Sequence, residues 1–343
     1  MHARDTLRDA DALLGTGLID AADHDAIAEV AGRYAVAIPP TLAGLIGDRN
    51  DPIGRQFVPD AGELVTAAHE MADPIADETL SPVRGIVHRY PDRALLKPLL
   101  VCPVYCRFCF RREQVGPDGG LLSPAELAAA HAWLRAHPQI REVILTGGDP
   151  LMLSPRRLGE ILRALDTIPH VETLRIHTRV PIATPESVTD DLLAALHTEK
   201  PLWIAVHANH ASEFGAEART ALARLAPIAP LLGQSVLLAG VNDTPGAMEA
   251  LLRAMIAARI KPYYLHQLDA APGTARFHVP VERGRAILAA LRGRVPGHAL
   301  PTYILDIPGG AGKVPIGPDH WRGGAVLDRD GAPHEVAQAA ASG

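Results

Sequence analysis

"SPAELAAAHAWLRAHPQIREVILTGGDP", residues 123–150, decides the fold. It begins as a serine-capped amphipathic helix and ends as a short apolar strand running into Gly147 and Gly148. The unit repeats on both sides. "ALLKPLLVC" precedes it as a strand, and "SPRRLGEILRALDTI" follows as a helix. "VETLRIHTRV", "PLWIAVHANH", "LGQSVLLAGVN", "KPYYLHQLD" and "PTYILDIPGG" read as further strands. "TPESVTDDLLAALHT", "EARTALARLAPIA", "PGAMEALLRAMIAARI" and "PVERGRAILAALRGR" read as the helices between them. Such alternation predicts a parallel sheet with helices outside, either a barrel or a doubly wound sheet. Cys102, Asp149, His177, His207, Asp269 and Asp306 each fall at the end of an expected strand. A barrel would bring them to one mouth.

Composition narrows the function classes. Apolar residues make up 48% of the 343, enough for a sizeable core. The net charge of −6 speaks against a nucleic-acid partner, which wants a basic face. No apolar run approaches a membrane span, and "MHARDTLRDADALLG" lacks a signal-peptide layout. A cytoplasmic location is expected. Residues 1–85 read as a helical cap or assembly segment with proline-punctuated connectors and nothing catalytic. The expected core covers 86–317, and 318–343 form a short tail ending in "VAQAAASG".

The three cysteines, Cys102, Cys106 and Cys109, all lie in "VCPVYCRFCFRRE", residues 101–113. The spacing C-x3-C-x2-C supplies three thiolates. A four-iron cube takes four, so one iron would stay open for a small molecule. Zinc on the three thiolates and a histidine is the alternative.

C-x3-C-x2-C with an aromatic, Phe108, before the last cysteine resembles the radical S-adenosylmethionine (SAM) enzymes. The wider set "HRYPDRALL", "CPVYCRFCFRR", "TGGDPLML", "LRIHTR", "HANH", "QSVLLAGVND", "PYYLHQLD" and "YILDIPGGAGK" resembles the lysine 2,3-aminomutase family, over about residues 85–317. The resemblance implies a partial (β/α)6-type radical SAM barrel behind an N-terminal helical segment. It implies an isomerase that shifts the α-amino group of L-lysine to the β-carbon, with a [4Fe-4S] cluster, SAM and pyridoxal 5′-phosphate (PLP). A one-electron reductant such as flavodoxin or ferredoxin and a homo-oligomer are also implied.

The resemblance carries roles onto residues, and each has a plainer reading. Cys102, Cys106 and Cys109 match the cluster ligands. Lys313 in "PGGAGK" matches the lysine that condenses with the PLP aldehyde; without the motif it would be an exposed loop lysine. Arg89 and Arg93 match the phosphate-binding residues, their forks suiting phosphate oxygens; otherwise they are surface charge. Tyr90 and Gln234 match further PLP contacts. Arg111 matches the residue that binds the substrate carboxylate, and its neighbour Arg112 is easily mistaken for it. Asp269 and Asp306 match the pair that receives the substrate ε-ammonium; otherwise they cap turns. Gly147, Gly148 and Asp149 match the strand end that contacts SAM. His177, Arg179, His207 and His210 match segments lining the SAM site, with His207 the clearest of the four.

Two departures bear on the physiological role. His266 stands where aminomutases of free lysine tend to have tyrosine. The related branch that makes β-lysine for elongation factor P tends to have histidine there, yet it usually lacks the aspartate of "DIPGG" that this chain keeps. No cysteine lies outside the cluster motif, so the structural zinc of longer relatives is not expected. A radical SAM reaction without PLP, another amino acid substrate, and a zinc scaffold are the rival readings.

Overall fold

The computed structural model describes residues 5–322, 325–328 and 331–335. Nine strands form one open sheet in sequence order: β1 (Ile86–Tyr90), β2 (Arg93–Leu99), β3 (Glu142–Gly147), β4 (Thr173–Thr178), β5 (Leu202–His207), β6 (Leu231–Val236), β7 (Ile260–His266), β8 (Thr302–Ile307) and β9 (Gly312–Pro315). β2 through β8 make six parallel pairings, each bridged by a helical crossover. β1 and β9 run antiparallel at the two edges. This is the expected partial barrel. The order does not close, because β1 and β9 do not pair with one another.

The helices start where the side chains cap them. Ser123 Oγ accepts from Glu126 N while Glu126 returns a bond to Ser123 N, which fixes the start of Pro124–Arg135. Leu158, Ile161, Leu162 and Leu165 of Pro155–Asp166 are fully buried and join the sheet's apolar face. The expected helix over 184–198 is instead a short turn, Pro185–Ser187, and a helix, Asp190–Ala195. Thr189 Oγ1 accepts from Leu192 N and so starts the helix later than periodicity implied.

Two strands were not expected. β1 runs into the first three residues of "HRYPDR", and β9 holds the lysine placed in a glycine-rich loop. Asp306 and Lys313 are cross-strand partners in the β8–β9 hairpin, which accounts for their seven-residue spacing. Gly309 (φ +80°) and Gly310 (φ +84°) make the turn in a backbone region that L side chains rarely adopt.

Before β1 lie the helices Ala10–Gly15 and His24–Arg33 and shorter turns. Their apolar residues, Leu13, Ile27 and Phe57 among them, pack with Val104 and Cys106 of the cysteine segment. Within 318–343 a small antiparallel sheet joins Trp321–Arg322, Ala325–Leu327 and Pro333–Glu335; "VAQAAASG" lies outside the described residues. Among the described residues no helix is long and apolar enough to cross a membrane.

Candidate active site

The carboxyl ends of the parallel strands open into a cavity of ≈ 370 Å³. Cys102, Cys106, Cys109, Gly147, Gly148, Asp149, His177 and His207 line it from β2 through β5. Gln234, His266, Asp269, Lys313, Arg89, Tyr90, Arg93 and Arg111 also line it. Asp306 stands behind that wall, bonded to Arg89 and Lys313. His210 does not line it; its ring accepts from Ser212 N, a local turn cap.

The cysteine segment is clamped from two sides. Arg107 N donates to Gln56 O at 2.8 Å, tying it to the N-terminal segment. Gly148 N donates to Leu99 O and Asp149 N to Val101 O, both at 2.9 Å. A Cβ on Gly148 would sit 2.3 Å from Val101 O, so this glycine admits the approach of the chain leading to Cys102 rather than of a ligand. The Asp149 carboxylate is already occupied by four own-chain donors. Oδ1 accepts from Thr178 Oγ1 and Leu151 N, and Oδ2 from Arg179 N and Val180 N. Asp149 therefore links the ends of β3 and β4.

The three thiols are free and part-exposed, all toward the one cavity. Burial pushes all three up, Cys109 to about 11, so a metal that binds them must displace protons. Among the described residues no three His, Cys, Asp or Glu side chains converge on a single ion. His177 and His207 carry buried Nε2 atoms with no partner, and burial holds both rings neutral. Unsatisfied nitrogens on a cavity wall fit a polar ligand such as SAM beside the thiols.

The N-terminal segment contributes more than a cap. Asp77, 2% exposed, accepts from Arg111 Nε at 2.6 Å and lies 3.5 Å from Lys97 Nζ. Burial works against Asp77's charge, but Arg111 and Lys97 hold its carboxyl below the ordinary range. Glu63 is fully buried and pairs with Arg107, Arg112 and Arg276. Arg111 thus faces the cavity, whereas Arg112 is committed to Glu63 and to the backbone carbonyls of Arg107 and Pro272. Neither Asp77 nor Glu63 was singled out from the sequence. The available signal was three arginines, Arg107, Arg111 and Arg112, around one buried cluster motif, each needing an anion.

At the far edges of the sheet, Tyr90 lies between two arginines, with Arg89 and Arg93 at 5.3 and 4.4 Å from its ring. Its hydroxyl accepts from Lys313 N at 2.7 Å. Arg89 bonds both oxygens of Asp306, at 2.8 and 3.3 Å, and Lys313 Nζ bonds Oδ2. Burial pulls the Lys313 ammonium below its ordinary value, with Asp306 opposing. Gln234 Nε2 lies 3.2 Å from His266 Nε2, and burial, then Lys313, draws His266 down to about 3. Asp269 faces the cavity and so keeps some exposure, yet protein surrounds it. Burial first, then repulsion by Asp306, pushes it up to about 7.

Comparison with known proteins gives these features a context. Residues 96–228 match the radical SAM superfamily. The chain is 39% identical over 301 residues to the L-lysine 2,3-aminomutase of Clostridium subterminale, covering 87% of this chain and 72% of that protein. It is 40% identical over 304 residues to the L-lysine 2,3-aminomutase of Methanococcus maripaludis, covering 87% and 70%. The glutamate 2,3-aminomutase of Clostridioides difficile is 34% identical over 317 residues, covering 92% and 75%.

Proposed function

The chain belongs to the lysine 2,3-aminomutase family of radical SAM isomerases, and on that footing we propose that it moves the α-amino group of L-lysine to the β-carbon, giving β-lysine. The observation that carries the choice of lysine is the raised Asp269. Asp269 lies on the cavity wall, where burial first and repulsion by Asp306 second disfavour its charge, and among the described residues no ion pair neutralises it. A substrate ammonium would relieve that repulsion, and a substrate carboxylate, as in glutamate, would add to it.

The residues fit the cofactors of the family. Cys102, Cys106 and Cys109 would hold the cluster, with the SAM side of the cavity bounded by the Gly147–Asp149 turn, His177 and His207. Arg93, and Arg89 once released from Asp306, would hold the PLP phosphate, with Tyr90 and Gln234 beside it, and Lys313 would hold the aldehyde carbon. SAM on the reduced cluster supplies the hydrogen-abstracting radical, and PLP supplies the group that carries the migrating nitrogen.

The chain's own part is positional. Arg111, its Nε fixed by Asp77, has its two terminal nitrogens left for the substrate carboxylate. With Lys313 committed to the cofactor and Arg89 turned from Asp306 to the phosphate, Asp306 would be left, with Asp269, for the substrate ammonium. The lysine would then be held at both ends, which limits its motion and so its side reactions. We also propose a low-potential one-electron protein as reductant and a homo-oligomeric assembly. The test is turnover of L-lysine against L-glutamate by the reconstituted enzyme without oxygen. Rearranged lysine with glutamate untouched is expected, and preference for glutamate would overturn the reading.

A further inference from the structure

Arg179 lies just past β4, is 5% exposed, and has no place in the reaction as proposed. Its Nη1 stands 3.1 Å from Cys106 Sγ. Among the described residues it is the only side-chain donor to any of the three thiols. Its Nη2 donates to Gln56 Oε1 at 2.9 Å and to Glu213 Oε2 at 2.5 Å. Its backbone N–H is bound to Asp149 at 2.6 Å. Phe57 lies under the guanidinium, 4.8 Å from ring centre to Cζ. Glu213 is itself fixed, because Asn209 N and His210 N both donate to its Oε1 at 2.8 Å. The guanidinium therefore cannot turn away from the sulfur without breaking a buried network. Its carboxylate partner sits at the opposite nitrogen, so the positive end of the pair points at Cys106.

We propose that Arg179, braced by Glu213 and Gln56, is a positioning residue that sets the reduction potential of the iron–sulfur cluster through a charged N–H···S bond to Cys106. The step is the transfer of one electron from a low-potential donor to the cluster, with no bond made or broken. The added negative charge spreads onto the thiolate sulfurs. A donor aimed at one of them stabilises the reduced cluster more than the oxidised one. In an enclosed site that difference is screened little. The inference rests on radical SAM membership and not on which amino acid is rearranged.

Two variants with opposite expected signs test it. Arg179→Gln/Glu213→Gln removes the charged donor while leaving no buried charge unpaired. Glu213→Gln alone keeps Arg179 and removes its counter-charge. Each protein is reconstituted without oxygen, its iron and sulfide are counted, and the cluster is titrated by electron paramagnetic resonance. The double variant should shift the reduction equilibrium about tenfold toward the oxidised form, or about 59 mV lower for one electron. Glu213→Gln should shift it the other way. A cluster-loaded double variant with unchanged potential would overturn the proposal. So would a Glu213→Gln protein whose potential stays put or falls, even if the double variant fails to take up iron. Neither outcome depends on turnover of lysine.

Discussion

Asp269 should make recognition of a cationic side chain depend on pH within the physiological range. Its carboxyl is pushed up to about 7, by burial first and by Asp306 second. The sign follows directly: the ionised form, which an ammonium needs, is lost as pH falls through that value. With a pKa of about 7, affinity for the ammonium should fall by about tenfold from pH 8 to pH 6. L-norleucine has the same α-amino acid end and no side-chain charge, so it separates this effect from titration elsewhere. Binding of both ligands is measured by calorimetry, with SAM and PLP present and no reductant, which prevents turnover. The ratio of lysine to norleucine affinity should drop about tenfold between pH 8 and pH 6. In Asp269→Asn the ratio should be low and flat. A wild-type ratio that does not change with pH would refute the assignment of Asp269 to the substrate ammonium. The same shift acts on stability in the opposite sense. A raised carboxyl favours folding at low pH, and that stability is lost as pH rises from the ordinary carboxylate range through about 7. Asp269→Asn should therefore stabilise the ligand-free protein at pH 8, by up to about 4 kcal/mol, and change little at pH 4.

Three further outcomes follow from the network around the cavity. Asp77→Asn keeps the shape but removes the anion shared by Arg111 and Lys97, so KM for the amino acid should rise about tenfold with a smaller change in kcat; an unchanged KM would show that Asp77 does not orient Arg111. Gly148→Ala puts a Cβ against the Val101 backbone and should displace the chain entering Cys102. Iron per chain after reconstitution should fall in that variant, and an unchanged iron content would show that the approach to Cys102 does not depend on this glycine. Lys313→Ala should take up the cluster normally and lose both the PLP absorbance of a covalent adduct and all turnover, and residual turnover would place the PLP-bearing amine elsewhere.

The sequence made β2 through β8 legible because each is a buried apolar run between helical stretches with their own caps. It hid β1 and β9, since an edge strand of four or five residues holding arginine, tyrosine or lysine lacks that signal. The spacing of Asp306 and Lys313 was readable as a pattern, but its cause, direct pairing across a hairpin, needed the fold. Residues contributed at long range were the harder case. Asp77 reaches Arg111 across 34 residues and Gln56 reaches Arg179 across 123, and no local pattern encodes such contacts. The demand for them was visible all the same, since the arginines crowded around the cysteines could be buried only with partners. Asp149 shows the converse. A strand-end carboxylate in a glycine turn reads as a ligand contact, yet its oxygens are used to hold β3 and β4 together.

The most direct test of the account is product analysis of the protein purified without oxygen, reconstituted with iron and sulfide, and supplied with SAM, PLP, a strong reductant and L-lysine. Mass spectrometry follows β-lysine and 5′-deoxyadenosine together. β-Lysine formed in many-fold excess over deoxyadenosine, and lost in Asp306→Ala, is the predicted result. Deoxyadenosine without β-lysine, from a protein with a full cluster, would contradict lysine as the substrate.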